Sequence, residues 1–226
     1  NLASSGVNGG ALIIVGEDYG EGSSIMQERS HAFAMKSQFW LLDPRPNLPC
    51  ITKAVKDGFE LSEASNTPVM LMVRIRSCHV TGSFQTRNNQ RPKLTVKEAL
   101  SNPQSDFARV VLPPMSYAHE QDKVKNRWPA AEKFIVDRGL NEFFGPKDAN
   151  FGIVVQGGMY NGVIRALQRL GLADEQLWRA WERRRKAACT PVHFLTDGLH
   201  TLFRLDLPGC ACAAGSAVYR EIPRRR

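Results

Sequence analysis

The chain is 226 residues long, 42% hydrophobic and 23% charged, with 30 Lys and Arg against 22 Asp and Glu and a net charge of +8. That length suits one large domain or two small ones, and no apolar run approaches the roughly 18 residues that a membrane-spanning helix needs. The five cysteines, Cys50, Cys78, Cys189, Cys210 and Cys212, are odd in number and lack Cys-x-x-Cys spacing, which indicates neither a disulfide framework nor a four-thiolate metal site and points to reduced thiols in a cytoplasmic protein.

Residues 1–83 read as three strand-helix repeats. After a polar start, Ala11-Leu-Ile-Ile-Val15 is a short unbroken apolar run, the kind that forms a strand buried on both faces of a parallel sheet. Gly16, Gly20 and Gly22 permit the sharp turn that must follow. Ser23 and Ser24 can cap a helix over residues 24–37, on which Ile25, Met26, Ala32 and Phe33 share a core-facing side and His31 is a packed or solvated side chain. Ligands of open α/β sheets sit beyond the carboxyl ends of the strands, so Glu17, Asp18, Tyr19, Ser23 and Ser24 occupy the place where a site is built. An ordinary strand-to-helix connection has the same appearance, because a lone glycine-rich turn is a weak signal.

Residues 39–42 read as the second strand, followed by Asp43-Pro-Arg-Pro-Asn-Leu-Pro49, a loop that three prolines hold extended. A helix follows to about Ser65, with Ile51, Ala54, Val55 and Gly58 recurring at helical spacing and Asn66-Thr67-Pro68 as its stop. The third strand, residues 69–76, delivers Arg74, Arg76, Cys78 and His79 to the same edge as the first loop. Arg74 and Arg76 are candidates for binding a substrate carboxylate through charge-assisted hydrogen bonds, with at least one of them expected to face solvent. Connections this short make an α/β fold with a doubly wound, mostly parallel sheet the expected architecture.

Residues 84–127 change character, with polar residues 85–92, an extended apolar piece Val110-Val-Leu-Pro-Pro114 and a charged run over residues 119–127. They read as an extended connector that joins two domains or crosses a partner surface. A second α/β domain is expected over residues 128–195: a helix over 128–143, a buried strand Phe151-Gly-Ile-Val-Val155, a turn Gln156-Gly-Gly158, an amphipathic helix over 159–170 carrying Tyr160, Val163, Ile164, Leu167 and Leu170, and a strand Thr190-Pro-Val-His-Phe-Leu195. From Trp178 onward ten Lys or Arg stand against four Asp or Glu. The excess charge therefore belongs to a basic tail and to the helix-end run Arg183-Arg-Arg-Lys186 more than to a nucleic-acid surface.

Several motifs, taken in order, resemble a known family. They are Gly9-Gly-Ala-Leu-Ile-Ile-Val-Gly-Glu-Asp18 with Gly20 and Ser23-Ser24, then Leu42-Asp-Pro44, Val111-Leu-Pro-Pro114, Arg127-Trp-Pro129 and Gly152-Ile-Val-Val-Gln-Gly157. Together, over residues 1–195, the chain resembles the thiamine-diphosphate-dependent 2-oxoacid:ferredoxin oxidoreductases, in particular the indolepyruvate ferredoxin oxidoreductase branch. The resemblance implies that residues 1–83 are the later part of a pyrimidine-binding domain and that a transketolase-C-terminal-like domain begins in 128–195. It implies that Gly16, Glu17, Asp18, Gly20, Ser23 and Ser24 face the cofactor and substrate pocket, Glu17 being a carboxylate-for-carboxylate variant. It also implies thiamine diphosphate with magnesium, iron-sulfur clusters whose ligands lie outside this chain, and coenzyme A, ferredoxin and an aryl-2-oxoacid as partners of a homo-oligomeric enzyme. The activating glutamate is expected before Asn1 and the diphosphate-binding domain after Arg226, so this stretch alone is expected to be inactive. Where many relatives have Ser-Asn-Val-Gln-Glu, this chain has Arg45-Pro-Asn-Leu-Pro49, which leaves the 2-oxoacid open.

Beyond Thr196 the likeness ends in a tail, residues 196–226, for which a shifted reading frame is one explanation. Two other classes stay open on the sequence alone: a noncatalytic α/β interaction module, and a basic nucleic-acid binder.

Overall fold

The computed structural model describes residues 1–18, 29–91, 94–103, 105–144, 151–171, 192–193 and 201–205. In chain order, a helical turn α1 (Leu2–Ser5) leads into β1 (Leu12–Glu17), α2 (Ser30–Ser37), β2 (Trp40–Leu42), α3 (Leu48–Ser65) and β3 (Val69–Arg74). Three helices follow after the short turn α4 (Ile75–Cys78): α5 (Val96–Ser101), α6 (Met115–Asp122) and α7 (Trp128–Asp137). The remainder comprises β4 (Phe143–Phe144), β5 (Phe151–Val155), α8 (Tyr160–Arg169), β6 (Val192–His193) and β7 (Thr201–Leu205).

The first sheet has the order β1-β3-β2-β6, with β1, β3 and β2 parallel and β6 antiparallel to β2. From β1 the chain crosses over β3 to reach β2, then doubles back to place β3 between them. Right-handed crossovers taken in opposite directions must put their helices on opposite faces. Side-chain alternation shows that they do. Trp40, Leu42, Val69 and Leu71 pack with Ala54 and Leu61 of α3, while Leu41, Met70 and Met72 pack with Ala34 of α2 and with Ala3. Gly58 lets α3 lie close to the sheet, since a Cβ there would come within 2.7 Å of Leu12 Cδ1. The α/β class and the mostly parallel sheet agree with the sequence expectation.

Several local expectations are corrected. The first strand is not buried on both faces: among the described residues β1 pairs only with β3, and Ile14 is 62% exposed. The buried residues of α2 are Ser30 and Ala34, of which Ala34 packs against the sheet, and Ala32 and Phe33 are exposed. The third strand stops at Arg74 because Ile75–Cys78 turns helical. Pro49 lies inside the first turn of α3, where a missing N–H costs nothing.

The stretch read as a connector is exposed over residues 81–91 and carries the isolated helix α5, which has no buried residue. From Met115 it is helical: α6 passes through a π turn over Lys123–Arg127 straight into α7. The helix expected at 128–143 is α7, which packs on α3, and Ala131, Ile135 and Leu140 belong to the core of the first sheet.

A second sheet has the order β4-β7-β5, β4 parallel and β5 antiparallel to β7, with α8 against it through Val155, Tyr160 and Ile164. Within α8 Leu167 is buried as expected, whereas Leu170 lies just past the helix and is exposed. Part of the expected strand at 190–195 is β6, which joins the first sheet instead, and the stretch read as a tail supplies β7, the middle strand of the second.

Candidate functional site

Because β1, β3 and β2 are parallel, their carboxyl ends share one edge, and each ends in a charged group. Glu17, the last residue of β1, is the register partner of Arg74, the last residue of β3, and Asp43 follows directly on β2. A guanidinium on the central strand thus stands between carboxylates from its two neighbours. All three are withdrawn from water, Glu17 at 4% exposure, Asp43 at 0% and Arg74 at 9%.

The guanidinium is committed to one side. Arg74 donates from Nε and Nη2 to Asp43 Oδ2 at 3.3 and 3.0 Å, and its Nη2 also donates to Gln156 Oε1. The other Asp43 oxygen accepts the backbone N–H of Gly158 at 3.0 Å. Gln156 directly follows β5, and Gly158 lies in the turn Gly157–Met159 that opens α8, so Asp43 supplies a negative charge at a helix entrance from a distant element. Glycine is required there: a Cβ on residue 158 would come within 2.3 Å of Arg74 Cδ and 2.8 Å of Asp43 Oδ1.

Glu17 is left over. Its Oε2 is buried and has no hydrogen-bond partner. Burial raises the Asp43 carboxyl from its ordinary 3.8 to about 6, against the opposing charge and hydrogen bonds of Arg74 and the Gly158 N–H, and the charge of Glu17 pushes it the same way as burial.

A second buried pair lies on the same loop. Arg45 donates from Nη2 to Glu142 Oε1 at 2.9 Å, with its guanidinium 5.1 Å from the Tyr160 ring centroid and 6.0 Å from that of Phe144. Burial raises the Glu142 carboxyl above its ordinary value, and Arg45 opposes the rise. Arg45 thereby anchors the loop after β2 to the aromatic cluster of the second sheet.

Of the residues expected to face a pocket, Glu17 lies in this cluster, Asp18 is half-buried beside it, and Gly16 is exposed. Gly20, Ser23 and Ser24, together with the expected helix cap, lie outside the described residues. Arg74 bonds Asp43 and Gln156, and Arg76 is exposed on α4. Asp43, Gln156 and Gly158 were not among the expected site residues. Asp43 and Gln156 do fall within two of the motifs quoted for the family resemblance, and the fold brings those motifs together. Among the described residues no three His, Cys, Asp or Glu side chains gather to hold a metal, and no helix is long and apolar enough to cross a membrane.

No protein-family model matches the chain, and no solved structure matches it. Indolepyruvate oxidoreductase subunit IorA of Methanothermobacter marburgensis is 28% identical over 173 residues, covering 76% of this chain and 27% of the relative. The subunit of the same name from Methanothermobacter thermautotrophicus is 26% identical over 181 residues, covering 76% and 27%. That from Pyrococcus abyssi is 29% identical over 170 residues, covering 74% and 26%. The chain spans about a quarter of the length of the curated relatives it matches. Over about three quarters of its own length, then, this chain is similar to indolepyruvate oxidoreductase subunits IorA.

Proposed function

We propose that this chain is the part of an indolepyruvate-type 2-oxoacid:ferredoxin oxidoreductase that forms one wall of the thiamine diphosphate pocket, with residues 1–83 as the later portion of a pyrimidine-binding domain. The similarity to IorA subunits over three quarters of the chain carries this reading. The buried charges at the carboxyl edge of the parallel sheet support it, because that edge is where open α/β sheets bind ligands.

The residues present fit one end of the cofactor. Glu17 Oε2 is a buried acceptor without a partner, which an amino or ring N–H of a heterocycle would satisfy. Among the described residues no three His, Cys, Asp or Glu side chains gather to hold a metal, and in this reading the magnesium diphosphate is held by another part of the full protein. Bound there, the cofactor would supply a nucleophile for the keto carbon and an electron sink for the decarboxylation of the substrate. The contribution of this chain is to bind and orient. Glu17 accepts a hydrogen bond from the heterocycle, and Asp43 and Arg74 hold the edge on which Glu17 stands. The substrate class is an aryl-2-oxoacid, coenzyme A takes the acyl group, and the electrons leave through iron-sulfur clusters held elsewhere to ferredoxin.

The test is the full-length protein containing this chain, in its native assembly and supplied with thiamine diphosphate, magnesium, coenzyme A and indolepyruvate. Reduction of ferredoxin is expected, with Glu17→Gln lowering kcat/KM about tenfold or more. Failure to oxidise any aryl-2-oxoacid, by an assembly that is folded and carries its clusters, would overturn the proposal.

A further inference from the structure

Two buried carboxylates and one guanidinium meet at the edge of the first sheet, and the guanidinium bonds only one of the two. Arg74 gives both of its donors on that side to Asp43, while Glu17 Oε2, in a residue 4% exposed, has no partner. Two ionised carboxylates around a single cation leave one buried negative charge uncompensated, and the least costly remedy is a proton. From the geometry we propose that Asp43, clamped by Arg74 and the Gly158 N–H with the unpartnered Glu17 carboxylate on the far side of the guanidinium, holds a proton and thereby latches the Gln156–Gly158 turn of the second sheet onto the edge of the first.

The latch has identifiable parts. Asp43 bridges the two sheets, accepting from Arg74 of β3 with one oxygen and from the Gly158 N–H with the other. Gln156 accepts from the same Arg74 Nη2. Among the described residues, the charged groups that act on Asp43 are Arg74 from β3 and Glu17 from β1, with the Gly158 N–H facing it from the turn before α8. Arg45, two residues along the same loop, is turned to Glu142.

The direction of the pH response follows from which arrangement binds the proton. In the latched arrangement Asp43 titrates near 6, and when the turn lifts away and water reaches it, it returns toward 3.8. The latched form therefore holds more protons between those values. Its extra stability is fully present below the ordinary carboxylate range and is lost as pH rises through about 6. A salt-bridged aspartate whose pKa is depressed behaves in the opposite way, losing its contribution on acidification. The inference concerns the ligand-free chain and does not rest on the activity proposed above.

The experiment is infrared spectroscopy of the intact chain from pH 4.5 to 8, following the carbonyl stretch of protonated carboxyl groups, in a Glu142→Gln background that removes the other raised carboxyl. A protonated carboxyl that persists to about pH 6 and disappears in Asp43→Asn is the expected result. In parallel, hydrogen exchange at the Gly158 amide, corrected for intrinsic rate, is expected to lose protection about tenfold or more as pH rises from 4.5 to 7. In Asp43→Asn that protection is expected to be independent of pH. Glu17→Gln removes a like charge without removing any donor from Asp43, and is expected to lower the carboxyl midpoint. Should Asp43→Asn fail to fold, the Glu17→Gln shift alone decides. An unchanged midpoint in Glu17→Gln, or the same carboxyl signal with and without Asp43, overturns the proposal.

Discussion

The guanidinium of Arg127 ties the start of the chain to two helices. It donates to the carbonyls of Ala3 at 3.1 Å and Ser4 at 2.7 Å, and also to those of Asn66 and His119, while Asp122 lies 3.2 Å from its Nε. The Ala3 and Ser4 carbonyls lie in α1 and the Asn66 carbonyl closes α3, at helix ends where carbonyls lack intrahelical donors, while that of His119 lies within α6. Arg127→Ala is expected to remove the donor to the Ala3 and Ser4 carbonyls and to lower stability by about 2 kcal/mol, read as a fall in the urea midpoint. Arg127→Lys is expected to recover little, because one ammonium cannot replace a five-donor fork. In the sequence Arg127 reads only as one charge in a charged run, since its partners on α1 lie more than 120 residues away. Asp43 is hidden for the same reason. Its place after an apolar strand was legible, but its partners are 31 and 115 residues distant, and no periodicity reports them.

Among the elements, α3 was the most legible, because its boundaries are set by local chemistry. Asn47 caps it by accepting from the Cys50 N–H at 2.9 Å, and Asn66 closes it in the left-handed region at φ 48°. Asn47→Ala is expected to cost about 1 kcal/mol, visible as a lower Tm with the far-ultraviolet circular dichroism of the folded state unchanged. The strands were legible in position and less so in environment. The apolar run of β1 marks a strand, but whether it lies inside or at the rim depends on strand order, which only the crossovers decide. The helix starting at Met115 was missed because its outer surface is charged and its inward groups are Lys123 and Arg127, which a hydrophobic pattern does not register. Lys123 is 1% exposed, bonded to Gln38 and Glu120 and set over the Trp128 ring. Long basic side chains can fill an interior position when their heads are paired.

For the molecule as a whole, the least supported described stretch runs from residue 81 to the return at Arg109. Phe84, Leu94, Val96, Leu100 and Phe107 are all exposed there, and Arg109 re-enters the body by donating to Ser5 O and Asn8 Oδ1. Limited trypsin digestion is expected to cut after Arg87 well before Arg109, with mass spectrometry identifying the sites; earlier cleavage at Arg109 would mean that this anchoring is wrong. The order of the strands has a different consequence. After α7 the chain enters the second sheet at β4 and β5, returns to the first at β6, and leaves again for β7. The two sheets are laced together rather than strung in sequence. Any single break between β1 and β7 takes a strand from one of them, so this stretch cannot be exchanged in halves with a relative: in recombination or in the design of chimaeras it has to travel as one block.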